Sequence, residues 1–336
     1  MAAPLPNPPM APLFTSSDFA TLLGLRDSAT PGAAIPEGNE FARTMRMEQY
    51  LRRNRLEGAD QQGVIWAKFC AHHLPATVER CLALPFPADW DPEVADDFLL
   101  DNAWTNMLVA VQHTPYFTRY VRSSAPAADA GKHLPRVLAE RFLTLASRLE
   151  HEIARPSPRQ DRYKFVAAKS LLLLGTLLRL SRAEPRSVLG PQTAARLGSF
   201  LRRWKARHHG IFLGAVSGRL HYFLTTRLHR DRAPQLGPPP ETTGGETSAT
   251  TATNAMTGEA SAMTATSATT GETSTTTTAT TAPLKRRCSF PSCPVRDNLQ
   301  ACGRCRTVRY CCIEHQRAHW AHPGGEHKLN CHKTLY

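Results

Sequence analysis

Apolar positions recur at helical spacing through the first two-thirds of the chain, and no alternating strand pattern bounded by hairpin turns appears. Phe41, Met45, Tyr50 and Leu51 lie near helical spacing among many arginines, and Val64, Trp66, Phe69 and Cys70 form a second apolar group. Asp91-Pro92-Glu93 reads as a helix start, with an Asp cap, Pro at the first helical position and an acid in the first turn. Beyond it Phe98, Leu99, Trp104, Met107, Leu108 and Val111 repeat at three and four, the spacing of a buried stripe. The run from Val137 to Ile153 carries Leu138, Phe142, Leu145 and Leu149 on one face. Tyr163 to Leu180 is apolar nearly all round, which predicts a central helix. Thr193–Trp204 and Ile211–Leu228 are the last two helical runs. The chain is therefore expected to be mainly α, with a helical domain over residues 39–232. Roughly six to eight helices fit, as a bundle or a short solenoid.

The flanks of that domain read differently. Residues 1–38 are rich in Pro, Ala and Ser and are expected to form a disordered lead. Residues 233–284 hold Thr, Ala, Ser and Gly, with no Lys, Arg or aromatic residue, the composition of a flexible linker. The longest apolar run, Leu171–Leu178, is far shorter than the ~20 residues of a bilayer span, so no membrane segment is expected. The first residues lack the charged and apolar regions of a signal peptide. An intracellular protein of the nucleus or cytoplasm is expected, in a reducing compartment.

The chemistry gathers in residues 285–336. Seven of the nine cysteines lie there, with five histidines interleaved. The gaps read Cys288-x4-Cys293, Cys302-x2-Cys305, Cys311-x3-His315 and His327-x3-Cys331. Four pairs supply eight ligands, the arithmetic of two four-coordinate zinc ions. An odd number of cysteines mixed with histidines argues against a disulfide framework. The segment has few apolar residues, so metal is expected to take the place of a core. Gly303 is expected to relieve the tight Cys302–Cys305 turn. Cys312, adjacent to a ligand, would point away from the same ion and is read as a spare thiol. His322 competes with His327 for the closing position.

The string CGRCRTVRYCCIEHQRAHW, with a cysteine pair upstream and His-x3-Cys downstream, resembles the MYND-type zinc finger. The resemblance spans roughly residues 288–331. It implies interleaved pairs: Cys288 and Cys293 share one zinc with Cys311 and His315, and Cys302 and Cys305 share the other with His327 and Cys331. It favours His327, through its three-residue gap to Cys331. It also implies an adaptor that recognises proline-containing peptides of other proteins, often Pro-x-Leu-x-Pro, with Gln316 and Trp320 lining the groove. A transcriptional co-regulator is one such role. Pro234-Gln235-Leu236-Gly237-Pro238 fits the same pattern and is a candidate self-ligand.

Charge adds little to that reading. The net +13 is spread: residues 1–235 hold thirty-one Lys and Arg against twenty-one Asp and Glu, and residues 285–336 hold ten against three. Two Cys3His sites filled with Zn²⁺ lower the finger's net charge from +7 to about +5. A non-specific nucleic-acid binder is one alternative, but no known nucleic-acid motif is visible and specific recognition is not expected. An enzyme is the other alternative, either a MYND-associated methyltransferase or an activity in the helical region. No methyltransferase motif or glycine-rich cofactor loop is visible, so no catalytic residue is assigned. Asp96, Asp97 and Asp101 read as a solvated acidic face, and His72-His73 and His208-His209 as surface histidines. Arg202, Arg203, Lys205 and Arg207 read as a helix-end cap, and Trp66, Trp90, Trp104 and Trp204 as core or boundary residues.

Overall fold

The computed structural model describes residues 13–25, 39–57, 59–84, 98–230, 287–322 and 326–336. Asp91-Pro92-Glu93, Trp90, Asp96, Asp97, the 233–284 segment and the Pro234–Pro238 motif lie outside them. The helices in chain order are α1 (Ser16–Leu22), α2 (Glu40–Glu57), α3 (Ala59–Ala83), α4 (Ala103–Val111) and α5 (Pro115–Arg122). They continue as α6 (Ala130–Ala154), α7 (Gln160–Ser181), α8 (Pro185–Leu189), α9 (Pro191–Arg207) and α10 (Phe212–Arg230). The carboxyl-terminal segment adds β1 (Gln300–Ala301), β2 (Arg309–Tyr310), α11 (Ile313–Ala321) and α12 (Glu326–Asn330).

The mainly α class holds, with more helices before residue 232 than periodicity counted. The extra ones are short and set by local start signals, side-chain caps at α1 and α5 and Pro185 at α8, which an apolar period cannot show. In α1, the Thr15 hydroxyl accepts from the Asp18 amide while the Asp18 carboxylate accepts from the Thr15 amide. Phe19 and Leu22 are buried, and Phe19 meets Trp66 of α3 edge-on at 5.0 Å. The expected disordered lead is therefore corrected for residues 13–25, since a seven-residue helix persists when its apolar face is buried. The stripe from Phe98 to Val111 is interrupted at Asn102, whose side chain caps α4 by accepting from the Thr105 amide at 2.8 Å. Thr114 caps α5 in the same way, with Pro115 at its first position. In α2 the buried apolar position is Met47, whereas Phe41 and Met45 face solvent.

The central position of α7 follows from its all-round apolar sequence. Leu173 and Leu177 join one buried cluster with Phe69, Met107, Phe117 and Leu138. Val166, Leu171, Leu174 and Leu178 join a second with Phe142, Phe200 and Trp204. In the second cluster Phe142 meets Trp204 edge-on at 5.7 Å, and the Trp204 indole donates to Glu150 at 3.0 Å.

A buried charge pair corrects the reading of Asp101 as solvated. Asp101 and Lys169 of α7 are both buried and ion-paired, and Lys169 also donates to the Asn106 side chain at 2.6 Å. Asn106 in turn donates to Asp101 at 3.1 Å. A charge removed from water is tolerated when paired and hydrogen-bonded, and local spacing gave no sign of a partner sixty-eight residues away.

The carboxyl-terminal segment is not a separate body. Residues 286–336 group with the helical region as one compact unit. Five of the finger's cysteines, Tyr310 and Tyr336 belong to the same buried cluster as Phe69 and Phe117, and the half-buried Cys311 packs against it.

Candidate metal centre

β1 and β2 pair antiparallel, with Gln300 opposite Tyr310 and Ala301 opposite Arg309. This short hairpin sets the spacing of the ligands. Cys302 leaves β1, its amide donating to the Val308 carbonyl at 3.0 Å, and Cys311 leaves β2. The Cys302–Cys305 turn closes by the Arg306 amide donating to the Cys302 carbonyl at 2.9 Å. Arg306, with φ +54°, takes the left-handed backbone that Gly303 was expected to supply. The bend falls after the second cysteine, where the closing hydrogen bond fixes it. His315 and Gln316 ride on α11, one turn before His319 and Trp320. His327 rides on α12, and Cys331 follows that helix directly.

Two groups of four ligand atoms result, each within 4.8 Å of one another: Cys288, Cys293, Cys311 and His315, and Cys302, Cys305, His327 and Cys331. The closing histidine of the second group is His327, and Cys312 lies outside both. A tetrahedral zinc with Zn–S of about 2.3 Å and Zn–N of about 2.0–2.1 Å places two sulfurs about 3.8 Å apart and sulfur and nitrogen about 3.6 Å apart. In the first group Cys293 and Cys311 sulfurs are 3.7 Å apart, and Cys288 Sγ is 3.7 Å from His315 Nδ1. In the second, Cys302 and Cys331 sulfurs are 3.8 Å apart, and Cys305 Sγ is 3.5 Å from His327 Nε2. Disulfides require about 2.05 Å, and all nine cysteines are free. The donor sets are Cys3His at both sites and fit two zinc ions.

Electrostatics favours a cation at each. Burial works against charge on Cys288, but amide donors from Phe290 and Cys311 bring its thiol down to about 7. Burial and the neighbouring thiols push Cys311 up to about 12, and burial with the Cys305 and Cys302 charges does the same to Cys331. Three sulfurs this close resist joint ionisation, and a divalent cation reverses that balance.

Further groups orient the ligands. Tyr310 is fully buried, and its hydroxyl lies 2.7 Å from His327 Nδ1 and 3.0 Å from His319 Nδ1. With Nε2 facing Cys305, Nδ1–H donates to Tyr310, which fixes the His327 tautomer. Phe290 stacks on the His315 ring at 4.7 Å. The Thr307 hydroxyl donates to Cys305 Sγ at 3.1 Å. These supporting residues are held by distance in space, and the ligand spacing did not mark them.

The arrangement defines a class: a small two-zinc module in which the first ligand pair closes with the third and the second with the fourth. Residues 287–331 match the family of the MYND finger, and the rest of the chain matches no family. No curated protein and no solved structure matches the chain. A MYND finger is a zinc-binding protein-interaction module, and the finger is that part of this protein. Among the described residues no helix is long and apolar enough to cross a membrane.

The residues expected to line a peptide groove sit together. Gln316 and Trp320 are half-buried, four residues apart on α11, and Ile313 is exposed on the same face. Trp320 meets the His327 ring edge-on at 5.4 Å, so it packs the metal site while keeping part of its indole outside. The Gln316 amide points to Cys302 Sγ at 3.9 Å.

Proposed function

We propose that the protein is an adaptor without catalytic activity of its own, and that the α11 face of its finger receives proline-containing peptides from partner proteins. The observation that carries this is the joint placement of Gln316 and Trp320. Both are half-buried and one turn apart, backed by a ligand of the second zinc site. A tryptophan held from behind offers a flat apolar wall at small ordering cost, and a glutamine amide pairs with peptide backbone. Proline peptides have already lost much of their backbone freedom, so docking orders little more. A transcriptional co-regulator is the role we favour for such an adaptor. Thiolate zinc sites persist in reducing compartments, which supports an intracellular location.

The test is titration of the full chain with a labelled Pro-x-Leu-x-Pro peptide, followed by fluorescence anisotropy. Saturable binding is expected, weakened about tenfold or more, or about 1.4 kcal/mol, by Trp320→Ala or Gln316→Ala with both zinc ions retained. Binding that is absent at millimolar peptide, or indifferent to both substitutions, sinks this reading. The Pro234–Pro238 segment has the same pattern, and as a self-ligand it would compete with the added peptide. Leu236→Ala would then raise the apparent affinity. Saturable binding of a methyl donor would turn the assignment to the methyltransferase alternative.

A further inference from the structure

The second zinc site is held from outside the finger. Tyr116, Arg119 and Tyr120 fall at i, i+3 and i+4 on α5, one face of a helix fixed by the Thr114-Pro115 start. The Tyr116 hydroxyl accepts from the His332 amide at 2.8 Å and donates to the Asn330 carbonyl. Asn330 and His332 flank Cys331, so one buried hydroxyl grips the backbone on both sides of a metal ligand. Arg119 donates to the carbonyl of Cys305, a second ligand of the same ion. The guanidinium also lies over the Tyr336 ring at 5.8 Å. Tyr336 is buried, meets Tyr120 edge-on at 5.0 Å and donates its hydroxyl to the Cys70 carbonyl of α3 at 2.9 Å. Gly131 at the start of α6 makes room for the Tyr120 ring, since a Cβ there would meet it at 2.7 Å. The first site contrasts: its backbone bonds run from Cys288 to Val295, Ser289 to Arg309 and Cys293 to Phe290, all within the finger.

We propose that Tyr116 and Arg119 are positioning residues for the second zinc site, supplied by the helical region. They touch neither ion. They hold the backbone of Cys331 and Cys305 so that ligand pairs twenty-six to twenty-nine residues apart in sequence, Cys302 with Cys331 and Cys305 with Cys331, meet at the separation zinc requires. Removing a group that orients a ligand costs about 10–100-fold in metal affinity. Cost at one site alone is the signature that separates positioning from general stability.

The experiment uses the full chain loaded with cadmium-113, which gives one resonance per site, together with zinc competition against a chelating dye. Cys293→Ser removes the first site's resonance and so assigns the other. Tyr116→Phe is expected to shift the second site's resonance only, and to weaken one of the two zinc equivalents about 10–100-fold while leaving the other unchanged. Arg119→Met is expected to do the same to a smaller extent, with Arg119→Lys partly restored, and it carries the test if Tyr116→Phe does not fold. Two unchanged equivalents, or two weakened by the same factor, overturn the proposal. Peptide binding enters neither readout, so this result stands apart from the adaptor reading.

Discussion

The two zinc sites have the same donor set and different surroundings. All four ligands of the second are buried, whereas Cys311 and His315 of the first are half-exposed. The first is closed by bonds within the finger. The second is bracketed by Tyr116 and Arg119 from α5 and by Tyr310 behind His327. The lesson is that a metal site's ligands set which ion it takes, while the body against which it is packed sets how far its loss is felt.

The largest expected effect separates the sites by substitution. Cys305→Ser should lose one zinc and lower the melting point of the helical region by about 10 °C, because the Asn330–Tyr336 segment, which buries Cys331 and Tyr336 against the helices, loses its anchor; roughly 3–5 kcal/mol corresponds to such a shift in a unit this size. Cys293→Ser should also lose one zinc but move that midpoint by less than about 3 °C. Circular dichroism melts with metal analysis check both, and equal shifts would abolish the distinction.

A core far from the metals sharpens the contrast from the other side. Trp204→Ala should cost about 3–5 kcal/mol by urea unfolding, since Trp204 is fully buried against Phe142 and Phe200, with both zinc ions still bound in the folded state. Fewer than two zinc ions per folded chain would contradict this.

Smaller again is Tyr310→Phe. It removes the hydroxyl that accepts from His327 Nδ1 and should weaken the second site about tenfold by dye competition, leaving the first alone. Weakening of the first site instead would reverse the assignment.

The smallest difference lies in acid release. Protons compete with zinc for thiolates and imidazoles, so both ions leave as pH falls, and affinity is regained as it rises. The half-exposed first site is expected to empty at the higher pH, and simultaneous release in a stopped titration would show that burial does not rank them.

Legibility from sequence followed the range of the physics. The helices of α6, α7, α9 and α10 were readable because their apolar faces repeat over several turns. The eight ligands were readable because a chelate pair is close in sequence by necessity. Helix α1 was missed because a capping box and three apolar side chains over seven residues are too short a signal. Asp101 was misread because its partner Lys169 lies on another helix. Gln316 and Trp320 were singled out through family resemblance alone, and the fold adds that both are half-buried on one helix face.

Taken alone, the order of residues determined that the chain is mostly helical and that its end is built to hold two zinc ions, because periodicity and chelate spacing are local properties of a polymer. Only the folded arrangement decided that the finger and the helices share one buried cluster and that α5 grips the second site. Tyr116 meets Asn330 across 214 positions of sequence, and Tyr336 meets Cys70 across 266. Contacts at that separation are selected by the packing of whole elements, for which no short stretch of sequence carries a signal.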